Sequence, residues 1–409
     1  MKLYLSTTLS QKINAQIGIT GSKSETNRLL LLQALYPNLN IENLSNSDDA
    51  EVMQKGLSIS NGEVDIHHAG TAMRFLTSYF ASQESKEVVL TGSSRMKQRP
   101  IKILVDALRA LGAHIDYVEN EGYPPLKIKG KRLKENTVSL PANISSQYIS
   151  SLCLIAPSLE KGLQIELVGK ITSVPYIKMT LALLEQIGIL TKFENNTISI
   201  QPKTKVEPAT LVVESDWSAA SYFYSLVALA EVGTEIKLSS YKENSLQGDS
   251  VLSEIYKNFG VETRFAENAI LLTKTTNHKL ETLNLKLDNA PDIAQTIAVS
   301  CFGLGMGCHL TGLHTLPIKE TDRLAAMKTE LEKFGAQVKI DEESLTLLPT
   351  SAIKKDVAVD TYNDHRMAMA FAPLALKTEF FVNDAGVVSK SYPDFWSDMK
   401  LVGLQIKKE

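Results

Sequence analysis

Four times along the chain, apolar residues at helical spacing close on an apolar residue and a glycine, at Leu111-Gly112, Ile187-Gly188, Phe259-Gly260 and Phe334-Gly335. Glycine just past the last apolar position marks a helix end, because it enters the left-handed conformation without steric cost. Each is followed by an alternating run, a polar turn and a second alternating run, as in Gln337 to Ile340, Asp341 to Ser344 and Leu345 to Leu348. That pattern predicts an amphipathic helix followed by a hairpin. The copies lie roughly 75 residues apart, enough for a whole supersecondary unit. Fainter copies at Lys55-Gly56-Leu57 and Leu401-Val402-Gly403-Leu404 bring the set to six.

A second feature recurs upstream of each glycine. A short polar cluster opens a run so apolar that, as a helix, it has to be buried on nearly every side. The clusters are Ser24 to Arg28, Gly70-Thr71-Ala72-Met73-Arg74, Ser145-Ser146-Gln147, Asp216-Trp217-Ser218, Asp292 before Ile293 to Val299, and Asn363-Asp364-His365-Arg366. Together the two features define a β-α-β-α-β-β unit used six times, its first helix inside and its second covering a sheet. The fold class is α/β, an α+β repeat, in two domains of three units each. Hinges near Thr20 and Val213-Glu214 make residues 21–213 the first domain, with its first unit shortened. Residues 1–20 plus 214–409 form the second, residues 1–20 lending it a strand. The N-termini of the buried helices are expected to face an interdomain cleft.

Composition narrows the function classes. With 44% hydrophobic and 22% charged residues, this is ordinary globular material with enough chain for a large core. A net charge of −3 gives no overall attraction to nucleic acid or to an anionic membrane, so an anion site has to come from local basic residues. Cys153, Cys301 and Cys308 lie in apolar or glycine-rich surroundings without a Cys-x-x-Cys pair. That suits a reducing compartment, and neither a disulfide framework nor zinc. Met1 to Asn14 lacks an apolar core of signal-peptide length, and no stretch reaches the roughly 20 apolar residues of a membrane span. The expectation is a soluble, cytoplasmic protein.

Local basic residues are present at matching places in the repeat. In Gly21-Ser22-Lys23-Ser24-Glu25-Thr26-Asn27-Arg28, Ser22 or Ser24 can cap free backbone N–H groups at a helix start that already favours negative charge. Arg28 lies one turn from Ser24 on the same face, and Lys23 sits at the mouth. Elsewhere stand Arg95, Lys97 and Arg99 before Pro100, the run Lys319-Glu320-Thr321-Asp322-Arg323, the pair His365-Arg366, and Lys390 ahead of Pro393. Each precedes or opens a predicted helix. Taken singly, such a charge run is a solvated face; recurrence at equivalent positions points to one concentrated anion site.

These strings carry a resemblance. Gly21-Ser22-Lys23-Ser24 to Arg28, Ala69-Gly70-Thr71-Ala72-Met73-Arg74, Arg95-Met96-Lys97-Gln98-Arg99-Pro100, Ser145-Ser146-Gln147, Pro291-Asp292, Lys319 to Arg323, Tyr362 to Met367 and Lys390-Ser391-Tyr392-Pro393-Asp394 resemble, in order and over almost the whole chain, the 5-enolpyruvylshikimate-3-phosphate synthases. The resemblance implies a monomer of two domains, each with three β-α-β-α-β-β units. It also implies that the enolpyruvyl group of phosphoenolpyruvate moves to the 5-hydroxyl of shikimate 3-phosphate with release of inorganic phosphate, in aromatic amino-acid synthesis. No metal or organic cofactor is implied, and the partners are these two small molecules, not nucleic acid or membrane.

By the same resemblance, Ser145, Ser146 and Ser173 hold the shikimate phosphate, Ser24 and Arg28 its carboxylate, and Gln147, Tyr176, Asp292 and Lys319 surround the ring. Phosphoenolpyruvate lies on Lys23, the backbone at Gly70, Arg95, Arg323, Arg366 with His365 beside it, and Lys390. Addition followed by elimination needs one group to take the hydroxyl proton and another to protonate, then deprotonate, the methylene carbon. Asp292 is the candidate base, Glu320 the candidate at the carbon, and Lys23 a further participant.

Four departures accompany the resemblance: His68 where asparagine is usual, Phe75 where proline is common, Thr315 where an asparagine often holds the ring, and the shortened first unit. A related transferase acting on a UDP-sugar shares the repeat but carries a reactive cysteine, and Gly92 to Arg99 contains none. A non-catalytic nucleotide or RNA binder lacks support, since Gly-x-x-x-x-Gly-Lys, a basic excess and an aromatic stacking set are all missing.

Overall fold

The computed structural model describes residues 1–7, 12–142, 145–169, 171, 173–277 and 282–409. The chain divides into two compact units, residues 21–213 and residues 1–20 with 214–409. Helices are numbered α1 (Lys23–Leu35), α2 (Asp48–Ser58), α3 (Gly70–Ser82), α4 (Lys102–Ala110), α5 (Ser146–Ile155), α6 (Val174–Gln186), α7 (Trp217–Leu229), α8 (Leu252–Ile255), α9 (Ala294–Gly303), α10 (Arg323–Lys333), α11 (His365–Phe371) and α12 (Phe395–Leu401). The six polar clusters open α1, α3, α5, α7, α9 and α11. Each of these helices is buried over most of its length.

The strands repeat one arrangement. In the unit formed by residues 21–213, strand Asn61–Asp65 runs parallel to Glu87–Thr91, which pairs antiparallel with Leu126–Lys129, whose other edge carries His114–Tyr117. The same order recurs in Thr137–Pro141, Leu163–Val168, Thr197–Ile200 and Thr191–Glu194. Alternation explains the single buried face: Leu163, Ile165 and Leu167 point inward while Gln164, Glu166 and Val168 are exposed. The first repeat is short, as its sequence implies. Its sheet is a parallel pair, Leu39–Glu42 with Ala209–Val212, and no hairpin lies between α2 and Asn61–Asp65.

In the other unit, residues 1–20 contribute two strands. Asn14–Ile17 is the first strand of the sheet completed by Glu235–Ser239, Ala269–Lys274 and Val261–Ala266, whereas Leu3–Thr7 lies between Phe380–Val382 and Leu404–Lys408 in another. Between these come Thr282–Lys286, Gly307–Thr311, Leu345–Leu347 and Val338–Ile340.

Two repeat positions differ from expectation. Gly335 follows α10 with φ 101°, as a helix-ending glycine should. Gly56 instead lies inside α2, where a Cβ would stand 2.5 Å from Leu76 Cδ1; it is glycine to let α2 approach α3. The segment ending at Phe259 is no regular amphipathic helix either. One α turn, α8, is flanked by 3-10 turns Gly248–Val251 and Tyr256–Phe259.

The first helices of the repeats pack against one another, α3 against α1 and α5, and α9 against α7 and α11. Small hydroxyls join them. Ser78 bonds Ser151, Ser221 meets Thr296 at 3.0 Å, and Ser300 donates to Ser225 at 2.8 Å. A small side chain allows two backbones to approach, and pairing the hydroxyls removes the cost of burying them. Large apolar groups such as Trp217, Phe302 and Phe371 fill the surrounding core, each worth about 1.5–3 kcal/mol when buried.

Candidate active site

In the unit of residues 214–409, the starts of α10 and α11 and the turn before α9 meet around Arg323. Asp322 caps α10 by accepting from the backbone N–H groups of Leu324 and Ala325, both at 3.1 Å, which puts Arg323 at the first helical position. Its guanidinium is 2% exposed. Nε donates to Asp364 at 2.6 Å, Nη1 to Asp292 at 2.8 Å, and Nη2 to Glu320 at 2.9 Å and to the second Asp364 oxygen at 3.4 Å. A guanidinium has five N–H donors, so one Nη1 hydrogen remains beyond these bonds. Burial alone would lower its pKa, but Asp364, Glu320 and Asp292 raise it, so Arg323 stays charged.

Asp364 is fully buried and also caps α11, accepting from Arg366 N–H at 2.9 Å. The preceding residues Tyr362 and Asn363 both have positive φ, 53° and 55°. Glu330, buried on α10, holds this turn by accepting from Tyr362 Oη at 2.6 Å and Asp360 N–H at 3.1 Å. Arg366 then reaches back, Nη1 to the Asp292 carbonyl at 3.1 Å and Nη2 to Ser218 Oγ at 3.2 Å. Lys390 donates to the Asn363 carbonyl at 2.5 Å, and His365 is buried beside Arg366.

Asp292 is the focus of this arrangement. Lys319 lies 3.4 Å from its carboxylate, Arg323 2.8 Å and Arg366 3.4 Å. Burial pushes its carboxyl upward, yet Lys319, Arg366 and Arg323 together hold it well below the usual carboxylate range. It is an ionised, weakly basic carboxylate while those cations face it. Among the described residues, no group of three or more His, Cys, Asp or Glu is placed to hold a metal ion.

The unit of residues 21–213 also holds a buried arginine, Arg28. It is buried on α1, donating from Nε to Thr180 Oγ1 at 2.8 Å, from Nη1 to the Ser24 carbonyl at 2.7 Å, and from Nη2 to Ser150 Oγ and the Tyr176 carbonyl at 3.1 and 3.3 Å. Burial lowers its pKa to about 10, leaving it charged at neutral pH. Phe75 stacks on the guanidinium at 5.4 Å, which gives that departure a role. Lys23 is paired with Asp49 at 3.1 Å.

Helix starts in this unit differ in how they are finished. Ser145 caps α5 through Gln147 N–H at 3.3 Å, and the Gln147 amide donates to Thr71 at 3.2 Å. Neither Ser22 nor Ser24 caps α1. The N-cap residues Ser22 of α1, Ala69 of α3 and Ser173 of α6 make no side-chain capping bond, and helix starts favour an anion. At α3 the Arg99 guanidinium packs over Gly70, 2.5 Å from where a Cβ would stand; any side chain at Gly70 would displace it. His68 Nδ1 bonds Ser93 Oγ at 2.8 Å.

The structure therefore joins Asp292, Lys319, Glu320, Arg323 and Arg366 in one network, and Ser24, Arg28 and Tyr176 in another. Arg95 is exposed before the 3-10 turn Met96–Gln98, and Ser146 is buried at the start of α5. Sequence reasoning missed Asp364, Ser218 and Asp249, which accepts from Ser218 Oγ, as parts of the first network, and Asp49 as the partner of Lys23. Two of them lay inside strings already singled out as helix openings, Asp216-Trp217-Ser218 and Asn363-Asp364-His365-Arg366.

Known proteins share the sequence and the fold of this chain. The family model described as EPSP synthase (3-phosphoshikimate 1-carboxyvinyltransferase) matches residues 54–399. A 3-phosphoshikimate 1-carboxyvinyltransferase of Bacteroides fragilis is 43% identical over 409 residues, covering 99% of this chain and 98% of the relative. One from Aliivibrio fischeri is 37% identical over 419 residues, covering 95% and 97%. The solved structure of an EPSP synthase from Acinetobacter baumannii has the same fold, with a TM-score of 0.80 over 100% of both chains at 20% identity. No helix among the described residues is long and apolar enough to cross a membrane. With more than four fifths of the chain matched by the family model and a relative 43% identical over nearly its full length, the chain belongs to the EPSP synthase family.

Proposed function

We propose that this chain transfers the enolpyruvyl group of phosphoenolpyruvate to the 5-hydroxyl of shikimate 3-phosphate, giving 5-enolpyruvylshikimate 3-phosphate and inorganic phosphate on the way to aromatic amino acids. The observation that carries the reading is the Asp292 carboxylate beneath Lys319, Arg323 and Arg366. Cations held by carboxylates are a preorganised receptor for carboxylate and phosphate groups of a substrate.

In this reading Ser145, Ser146 and Ser173 take the shikimate phosphate, Ser24 and Arg28 its carboxylate, and Gln147, Tyr176, Asp292 and Lys319 the ring. Phosphoenolpyruvate takes Lys23, the Gly70 backbone, Arg95, Arg323, Arg366 with His365, and Lys390. The substrate anions draw Lys319 and Arg366 away from Asp292, which raises its basicity where the 5-hydroxyl proton has to be accepted. The hydroxyl oxygen bonds to carbon 2 of phosphoenolpyruvate while Glu320 protonates the methylene carbon. Elimination then returns a methyl proton to Glu320, or to Lys23, as the carbon–oxygen bond to phosphate breaks.

The protein acts as a monomer in the cytoplasm on small molecules, consistent with its net charge of −3. The three cysteines are buried, which weighs against the thiol chemistry of the UDP-sugar transferases. Phosphate release decides the matter: it should require both shikimate 3-phosphate and phosphoenolpyruvate. Release with a UDP-sugar acceptor and none with shikimate 3-phosphate would overturn the reading.

A further inference from the structure

Asp249 belongs to no motif discussed above, yet it is built into the back of the Arg366 site. It lies in the turn Gly248–Val251 and is 3% exposed. The turn is fastened to the start of α7, where Gln247 accepts from Trp217 N–H at 2.9 Å and donates to the Ser215 carbonyl at 2.9 Å. Asp249 Oδ2 accepts a hydrogen bond from Ser218 Oγ, in the first turn of α7. The other oxygen, Oδ1, is buried without a hydrogen-bond partner among the described residues.

A serine hydroxyl has one proton and two lone pairs. With the proton directed to Asp249, the oxygen presents lone pairs to Arg366, whose Nη2 donates to it at 3.2 Å. The Arg366 guanidinium is thus oriented from two sides, by the Asp292 carbonyl at 3.1 Å and by Ser218. Ser218 is in turn oriented by a carboxylate that touches neither Arg366 nor Asp292 through any hydrogen bond described here.

We propose that Asp249 is a positioning residue for Arg366: ionised, it turns the Ser218 hydroxyl so that its oxygen accepts from Nη2, and protonation at Oδ1 loosens that orientation. The inference rests on the proposed function only for its kinetic consequence. Burial pushes the Asp249 carboxyl up to about 6, with Asp292 acting in the same direction, opposed by Arg366 and the Ser218 bond, and with Asp216 raising it slightly. The charged groups facing it are therefore Asp216 on the N-terminal side of α7, Asp292 before α9, and Arg366 on α11. His365, buried next to Arg366, is the other titratable side chain beside it. When Asp249 is neutral, the bond from Ser218 is no longer charge-assisted, so it is weaker.

Two measurements test this. Nitrogen-15 NMR of the arginine side chains, with the Arg366 signal identified from Arg366→Lys, follows the guanidinium without any substrate. Its resonance should titrate near pH 6 in wild type and be flat in Asp249→Asn. A wild-type signal that does not move between pH 5 and 8, or a titration that persists in Asp249→Asn and so belongs to His365, overturns the proposal. In steady-state kinetics, Asp249→Asn should raise the KM for phosphoenolpyruvate about tenfold at pH 8 with kcat within about twofold. The KM ratio should shrink to about threefold at pH 5.5, where about a quarter of the carboxyl is still ionised, and dividing one profile by the other removes the substrate's own titration. Ser218→Ala should give the same KM change, and the double variant no more than either alone. Equal KM ratios at both pH values, or multiplicative effects in the double variant, contradict it. An inactive wild type whose Arg366 signal still titrates as described would reject the proposed reaction and leave the positioning role standing.

Discussion

Asp364 holds Arg323 and caps the helix that carries Arg366, accepting from Arg323 Nε at 2.6 Å and from Arg366 N–H at 2.9 Å. One buried carboxylate thereby sets the spacing of two cations from different helices. Removing its charge leaves the guanidinium of Arg323, 2% exposed, without its shortest partner.

Breaking a buried pair by changing one member costs about 3–5 kcal/mol, mostly as an uncompensated charge. Asp364→Ala is expected to lower unfolding stability by about that much in urea. Asp322→Ala, which removes only the α10 cap, should cost about 1 kcal/mol. Equal, small losses in both would show that Asp364 is an ordinary cap.

Lys23 pairs with Asp49 at 3.1 Å at the α1 start, whose N-cap Ser22 makes no side-chain bond. Lys23→Ala should leave the fold intact and reduce turnover by about 10- to 100-fold, the worth of one charge-assisted contact to an anion. Lys131→Ala, from an exposed position, serves as the control. Wild-type turnover in Lys23→Ala would remove Lys23 from the site.

Glu320 donates nothing while ionised and accepts from Arg323 at 2.9 Å. Glu320→Gln can keep that contact but cannot carry a proton. It should be folded, nearly inactive in phosphate release, and slow to exchange solvent deuterium into the phosphoenolpyruvate methylene. Normal exchange with impaired turnover would move carbon protonation to Lys23 or Asp292.

Much of this architecture was legible in the chain. The glycines after Leu111, Ile187 and Phe334 each end a helix because a left-handed residue followed by a hairpin leaves a local signature. Gly56 carried the same signature for a different reason, the approach of Leu76, and only packing separates the two. The cations were readable because they sit at helix starts. Their partners were not. Asp364 and Arg323 are 41 residues apart, and Asp249 is linked to Arg366 by hydrogen bonds through Ser218. Pairings across elements follow from tertiary folding and leave no period in the sequence.

Lys274 gives a pH prediction unconnected with catalysis. Its ammonium is buried, donating to the carbonyls of Ala228 at 2.7 Å and Phe259 at 2.6 Å, at the ends of two helical segments. Burial lowers its pKa from 10.5 to about 8, and Lys377 adds repulsion. Between these values the unfolded chain binds more protons than the folded one, so this residue makes stability rise with pH across that window. Below pH 8 its contribution is constant. The difference in unfolding free energy between wild type and Lys274→Met should therefore shift in favour of wild type from pH 8 to 10.5, on top of a pH-independent loss of the two hydrogen bonds. A difference that does not vary with pH would place the Lys274 pKa at its ordinary value.

The central claim is that the chain joins two substrates through a new ether bond. Carbon-13 NMR of a reaction mixture containing wild-type protein, shikimate 3-phosphate and phosphoenolpyruvate labelled at carbon 2 follows the atom at which that bond forms. The account predicts that the label moves into an enol ether coupled to the proton at position 5 of the ring, with one inorganic phosphate appearing for each ether. Label that stays in phosphoenolpyruvate, or that appears in pyruvate through hydrolysis without a ring-coupled ether, would contradict it.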